Sequence, residues 1–212
     1  MSAKSQHNNI LLAIIGFAAV DPHDLEAPDK LEHAFADLDL RGLNLHPGRQ
    51  RFYPMDGCVQ GLYDICERYN RPVMFHTGMS WEPHTLAKYG RPVEFEELAE
   101  TRPRLRFCLG HFGWPWLEEA AMLMVKHKNV YADTGLLYFD SAREFYAHLF
   151  TRELPSTWID RSLRHQVMFG SDSPRFEQIR MARALDGLGL RESTVELIKG
   201  ANALDFLNGL EQ

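Results

Sequence analysis

Short apolar runs alternate with amphipathic segments along most of the chain. The apolar runs predict six strands, at 10–20, 42–46, 72–76, 106–111, 130–133 and 166–172. Apolar residues at helical spacing predict helices at 29–38, 57–69, 93–100, 116–126, 141–150, 176–185 and 195–207. Buried strands that alternate with helices are typical of a parallel sheet covered by helices, so the pattern predicts an α/β fold.

Polar residues close five of these runs, each followed within a few positions by glycine or proline. They are His46, His76, His111, Asp133 and Asp172. Because the C-terminal ends of parallel strands meet at one edge of a sheet, we expect three histidines and two aspartates to gather there. The sequence contains neither a G-x-G-x-x-G loop nor a Walker motif. The pattern therefore favours a barrel over a nucleotide-binding sheet.

Imidazole and carboxylate groups suggest what such a cluster could do. Both suit zinc or a similar divalent ion, which lowers the pKa of a bound water to about 7. Asp172 could orient that water and take its proton, and His111 could polarise or protonate a substrate. The residues themselves thus indicate metal-assisted hydrolysis or a lyase reaction.

Composition removes several classes of function. The chain has 212 residues, and 23 basic against 29 acidic side chains give a net charge of −6. No basic run offers a surface for nucleic acid. The three cysteines form no C-x-x-C pair, which indicates reduced thiols and a cytoplasmic protein. The apolar run at 10–20 is too short to span a bilayer, so no membrane association is expected. No linker or composition shift divides the chain, which predicts a single domain over 1–212.

Four segments carry a resemblance to a known family. The residues at 42–50, 72–78, 109–116 and 169–174 resemble the amidohydrolase superfamily, in its amidohydrolase-related branch that includes aminocarboxymuconate semialdehyde decarboxylase. The resemblance implies a TIM-type (β/α)8 barrel. It also implies a divalent metal, with zinc expected and manganese as the alternative.

The site residues follow from the same resemblance. His76 matches a metal ligand on the family's fifth strand, Asp172 matches the ligand and proton acceptor on the eighth, and His111 matches a sixth-strand histidine that serves as a ligand or acid–base group. The segment 17–22 resembles the family's third strand, which favours a strand at 10–20 over a secretory signal. Family members open with a His-x-His pair on strand one, and no such pair occurs in this sequence. The first two βα units of the barrel are therefore expected to be missing, with strands three to eight present.

Substrate binding and function complete the predictions. Residues that follow the second and third predicted strands are candidates to bind a small-molecule substrate, namely His46, Arg49, Arg51, Tyr53 and Trp81. For the arginines, solvated loop charge is the alternative. The favoured function is a metal-dependent hydrolase of a small carboxylate-bearing ester, lactone or amide. Two alternatives are a non-oxidative decarboxylase and a catalytically impaired remnant or subunit. Uncovered sheet edges also predict a homo-oligomer, in the simplest case a dimer.

Overall fold

Six parallel strands form one sheet, in which neighbours in sequence are neighbours in space. The computed structural model describes residues 14–136 and 141–209. Its strands are β1 (Ala18–Ala19), β2 (Leu43–Leu45), β3 (Val73–His76), β4 (Phe107–Gly110), β5 (Val130–Asp133) and β6 (Val167–Met168), and the sheet order is β1-β2-β3-β4-β5-β6. Every pairing is parallel. The predicted α/β fold with six parallel strands is confirmed.

Helices follow the strands as the pattern predicts. The α-helices are α1 (Ala27–Ala36), α2 (Pro47–Gln50), α3 (Gly57–Arg68), α4 (Glu96–Thr101), α5 (Leu117–Lys126), α6 (Ala142–His148), α7 (Gln178–Asp186), α8 (Glu192–Glu196) and α9 (Asn202–Asn208). Short 3₁₀ turns cover Ala87–Gly90, Pro92–Phe95 and His111–Gly113, and π-helical turns cover Leu149–Glu153, Trp158–Ser162 and Leu197–Ala201. None of the helices between residues 14 and 209, leaving aside 137–140, is both long and apolar enough to cross a bilayer.

The two faces of the sheet have different partners. Alternate strand residues such as Leu43, Phe75 and Leu109 are fully buried in the main core against the helices. The residues between them, including Met74, Cys108, Tyr131 and Met168, face the other way and pack with Phe206 of α9. This division follows from the period of two along a strand.

Two predicted strands are longer than the observed ones. The run at 166–172 is a strand only over Val167–Met168, because the amide of Phe169 donates to the carbonyl of Ile198, 2.7 Å away, instead of to a strand. The run at 10–20 is a strand only over Ala18–Ala19, and residues 10–13 lie outside the described residues. An apolar run fixes burial, whereas strand length also requires a partner for the backbone.

The last described helix lies on the inner face of the sheet. Phe206 packs against Tyr131 with ring centroids 5.1 Å apart, and its carbonyl accepts a 2.8 Å hydrogen bond from Nε of Arg106. Arg106 also donates to the side-chain oxygen of Asn70 at 2.8 Å. Since Asn70 and Arg106 precede β3 and β4, α9 closes the end of the sheet opposite the predicted site.

Candidate active site

The strand ends bring the predicted polar residues to one cavity. An inner cavity of about 480 Å³ is lined by all five of them, namely His46, His76, His111, Asp133 and Asp172. An outer cavity of about 270 Å³ shares four of these residues with it and adds Trp81, Glu82 and Arg175. The expectation that three histidines and two aspartates meet at the C-terminal edge is therefore met in the structure.

His76 contacts both of the other histidines of the site. Its ring stacks on that of His46, with centroids 3.9 Å apart and planes 13° apart. Burial, with the neighbouring histidines, lowers the pKa of His76 to about 2, so the ring is neutral at any physiological pH. Burial also lowers the pKa of His46.

A chain of hydrogen bonds fixes the proton positions on two of the rings. Nδ1 of His111 lies 2.6 Å from the carbonyl oxygen of Gly135, and Nε2 of His111 lies 2.9 Å from Nδ1 of His76. A carbonyl can only accept, so His111 carries its proton on Nδ1 and, when neutral, accepts at Nε2 from His76. The lone pair of neutral His76 is then on Nε2.

Nε2 of His76 is buried and has no hydrogen-bond partner among the described residues. A buried nitrogen lone pair without a partner costs free energy, which a bound cation or donor would offset. No hydrogen bond from the described residues therefore competes with a ligand for this nitrogen. His111, by contrast, has partners at both nitrogens, so acting as a ligand would require it to give up one of these hydrogen bonds.

Asp133 holds the backbone that carries His111. Its Oδ1 accepts from the amides of His111 at 3.2 Å and Gly135 at 2.7 Å, and its Oδ2 accepts from Sγ of Cys108 at 3.7 Å. The side chain of Thr77 ties β3 to β4 by donating to the carbonyl of Gly110 at 2.6 Å. These bonds hold the histidine pair in one arrangement.

Asp172 lies at the mouth of the inner cavity and lines both cavities. Desolvation raises the pKa of its carboxyl group, and the nearby charges of His111 and Arg175 oppose that shift. A carboxylate with a raised pKa is a better proton acceptor than a fully solvated one.

Two site residues have left-handed backbone conformations that L-amino acids seldom adopt. The φ angle is 59° at His111 and 54° at Asp172, and Phe112 beside His111 has 52°. Such residues cost of order 1–3 kcal/mol each and cluster at functional sites. His111 directly follows β4, and Asp172 lies four residues beyond the end of β6.

The predicted substrate-binding residues divide into two groups. His46 and Trp81 line the cavities, as expected. Arg49 and Arg51 instead line a separate surface groove with Glu82, and Arg49 lies 3.7 Å from the Glu82 carboxylate. Tyr53 lines neither cavity and packs on Tyr89, with ring centroids 4.7 Å apart. Their predicted contact with substrate stays a prediction.

Two features of the site were missed by the sequence reasoning. The first is Arg175, which lines the outer cavity and lies three residues beyond Asp172 in the same loop. The inner cavity also has an apolar wall of Phe17, Met74, Met168 and Phe206. The residues at inward positions of the strands could have indicated that wall, but nothing in the sequence places α9 against it.

The donor atoms fit a divalent ion in part. His76 supplies a nitrogen lone pair and Asp172 a carboxylate in the same cavity, which are the ligand types that zinc and manganese accept. Within 14–136 and 141–209, no group of three or more His, Cys, Asp or Glu side chains is arranged to hold an ion. The described residues thus provide two donors of a larger ligand set.

Comparison with family models settles the family. A model of the amidohydrolase family matches residues 11–209. The chain belongs to the amidohydrolase family. The amidohydrolase resemblance of the strand-end segments is thereby confirmed, while no curated protein matches the chain.

Solved structures with a similar fold include a TIM-barrel protein and two decarboxylases. An uncharacterized TIM-barrel protein from Bordetella bronchiseptica has a TM-score of 0.72 and 22% identity, covering 91% of this chain and 64% of its own. 5-Carboxyvanillate decarboxylase from Sphingomonas paucimobilis has a TM-score of 0.65 and 17% identity, and the match covers 91% of this chain and 66% of the decarboxylase. A dihydroxybenzoic acid decarboxylase from Polaromonas, with bound manganese and an inhibitor, has a TM-score of 0.64 and 15% identity. The match covers 91% of this chain and 68% of that decarboxylase.

The amidohydrolase chain spans about two thirds of the length of each of these structures. Its six consecutive parallel strands form part of a TIM-type barrel, as predicted. At these identities the likeness is one of fold, and the chemistry must be argued from the site.

Proposed function

We propose that this amidohydrolase is a metal-dependent hydrolase of a small carboxylate-bearing ester, lactone or amide. One observation carries the proposal: the buried Nε2 of His76 has no partner and shares a cavity with the carboxylate of Asp172. A lone pair and a carboxylate in one concave site are the groups that metal-assisted hydrolysis needs.

His76 and Asp172 would hold the ion, with zinc expected and manganese supported by the ion bound in the Polaromonas structure. When bound, such an ion supplies a Lewis acid and lowers the pKa of water. The hydrogen bond from Nδ1 of His76 to His111 orients the His76 ring, as second partners of ligand histidines do.

The other roles fall to groups of the chain itself. Asp172, whose pKa is raised by desolvation, accepts the proton of the attacking water. His111 stabilises developing negative charge on the substrate or returns a proton to the leaving group. In either role His111 carries a second proton, on Nε2, and gives up its hydrogen bond with His76, while its Nδ1–H continues to donate to the carbonyl of Gly135.

Non-oxidative decarboxylation is the second candidate. The apolar wall of the inner cavity suits the hydrocarbon part of an unsaturated or aromatic acid. Two of the similar solved structures are named as decarboxylases of aromatic acids. The same His76, His111 and Asp172 would serve that reaction, with Asp172 delivering a proton to carbon.

Metal content and turnover together test the proposal. Inductively coupled plasma mass spectrometry on purified protein is expected to find about one divalent ion per chain. Asp172→Asn and His76→Gln should each lose it, whereas Asp29→Asn, at an exposed position of α1, should keep it. Proton release from esters and lactones, and carbon dioxide release from aromatic acids, then separate hydrolase from decarboxylase.

Retained turnover in Asp172→Asn would contradict the role of that residue. Carbon dioxide release without ester or lactone cleavage would favour the second candidate. Wild-type protein with neither metal nor turnover would instead favour a catalytically impaired remnant or subunit.

A further inference from the structure

A guanidinium lies at the mouth of the site. Arg175 lines the outer cavity together with His46, His76, His111 and Asp172. Among the described residues that line either cavity, it is the one with a permanent positive charge.

The guanidinium of Arg175 has no partner among the described residues, whereas some other exposed arginines are paired. Arg49 pairs with Glu82, Arg91 with Glu119 and Arg191 with Asp160. Between residues 14 and 209, apart from 137–140, no hydrogen bond or ion pair involves the guanidinium of Arg175. Its five N–H donors are therefore available to a ligand.

A backbone hydrogen bond places Arg175 in the same turn as Asp172. The amide of Arg175 donates to the carbonyl of Asp172 at 2.9 Å, which closes the turn in which Asp172 has its left-handed conformation. The positive charge is close enough to help lower the pKa of His76 and to oppose the rise in the pKa of Asp172. Arg175 is thus held near the site although its side chain is exposed.

The other charges of the outer cavity do not neutralise it. Glu82 also lines the cavity, but its carboxylate lies 3.7 Å from Arg49 on the far side, toward the separate groove. Asp172 faces the histidine pair and is assigned to the chemistry above. A carboxylate on the substrate is the natural partner for the remaining cation.

We propose that Arg175 binds the carboxylate of the substrate at the mouth of the site. The reacting group then lies at the residues shared by both cavities, and the apolar remainder extends toward Met74 and Phe206. This inference rests on the proposed function, and it gives Arg175 the role that the sequence suggested for Arg49 and Arg51. It also defines the substrate class as a carboxylate joined to a compact apolar body.

Calorimetric titration with a matched pair of probes tests the proposal. Benzoate and benzamide have the same ring and differ in the charge of the head group. Wild-type protein is expected to bind benzoate more tightly than benzamide. Arg175→Gln should weaken benzoate binding by about ten- to hundred-fold, the range for a hydrogen bond to a charged group, and leave benzamide unchanged. Arg175→Lys should retain part of the preference, because the charge stays and the planar fork is lost.

Two further variants make the result specific. Arg180→Gln removes a charge from α7 at a position that lines neither cavity, and it should bind both probes like the wild type. If Arg51→Gln weakens benzoate binding and Arg175→Gln does not, the proposal is overturned. Wild-type protein that binds neither probe, or binds both equally, would overturn it as well.

The outcomes also separate this proposal from the proposed function. Metal-dependent turnover with an intact carboxylate preference in Arg175→Gln would remove the role of Arg175 and leave the enzyme assignment in place. A preference for benzoate that depends on Arg175, in protein without metal or turnover, would support the role of Arg175 and contradict the enzyme assignment.

Discussion

At the scale of single residues, the site is built from backbone conformations that side chains normally avoid. His111 and Asp172 have positive φ angles, and each is followed within three positions by glycine or proline. The strain is sustained by local hydrogen bonds, such as those that the amides of His111 and Gly135 donate to the carboxylate of Asp133. The surrounding structure therefore holds the strained backbone at His111 in place.

The identities of these residues were predictable, whereas their proton positions were not. A polar residue at the end of an apolar run is visible in the sequence, and His76, His111 and Asp172 were all found that way. The tautomers depend on the carbonyl of Gly135, which reaches His111 only in the folded chain. The direction of a loop is equally hidden, so Arg175 was missed although it follows Asp172 closely.

Gly78 gives a test at this scale. It has φ of 72°, and a Cβ there would lie 2.1 Å from the carbonyl oxygen of Trp114. Gly78→Ala is therefore expected to lower the free energy of unfolding by at least about 3 kcal/mol. The backbone of Trp114 would have to move away, and alanine would also be held at an unfavourable positive φ. Gly189→Ala is the matched control, since its φ is 70° with nothing within 4 Å of a Cβ. Urea denaturation should show a loss of only about 1 kcal/mol for the control, and equal losses would contradict the argument.

At the scale of elements, the alternation of strands and helices was predictable and several details were not. Apolar periodicity gives the order of the elements, because it reports which residues are buried. It does not report hydrogen-bond register, so the π-helical turn at Leu197–Ala201 lies within a predicted helix and the one at Leu149–Glu153 begins at the end of another. The position of α9 on the inner face depends on contacts of Phe206 with Arg106, which is 100 residues earlier in the chain, and with Tyr131.

Phe206 tests how firmly α9 is held. Its side chain is 2% exposed and packs on Tyr131, whereas Leu204 on the same helix is 58% exposed. Phe206→Ala is expected to cost about 3–5 kcal/mol of unfolding free energy through lost burial and a new cavity. Leu204→Ala should change the unfolding free energy by less than about 0.5 kcal/mol. Similar urea midpoints for the two variants would show that α9 does not rest on Phe206.

At the scale of the whole molecule, the outer strands bear on association. Within the described residues, β1 and β6 each pair with a single neighbour. Near β1, Ile14 is 98% exposed and Leu25 is 97% exposed. Unpaired strand edges and exposed apolar side chains both favour contact with another chain.

The predicted homodimer follows from these features. Sedimentation velocity is expected to show a dimer at micromolar concentration. Replacing both apolar residues, in Ile14→Asp with Leu25→Asp, should shift the protein toward monomer, because charge at an edge opposes pairing. Leu204→Asp, an exposed position on α9, should leave the dimer intact. A wild-type chain that sediments as a monomer would contradict the prediction.

The order of the strands also bears on synthesis of the chain. Each strand pairs with the one made just before it, so every addition to the sheet finds its partner already present. Sequential pairing of this kind keeps contacts local and allows structure to form while the ribosome is still extending the chain. The exception is α9, whose hydrogen bonds to Arg106 and Asn70 reach back 100 and 138 residues, respectively. The apolar end of the cavity is therefore completed only after residues 202–208 have emerged from the ribosome. A nascent chain that ends before residue 202 lacks the part of the cavity wall that Phe206 supplies.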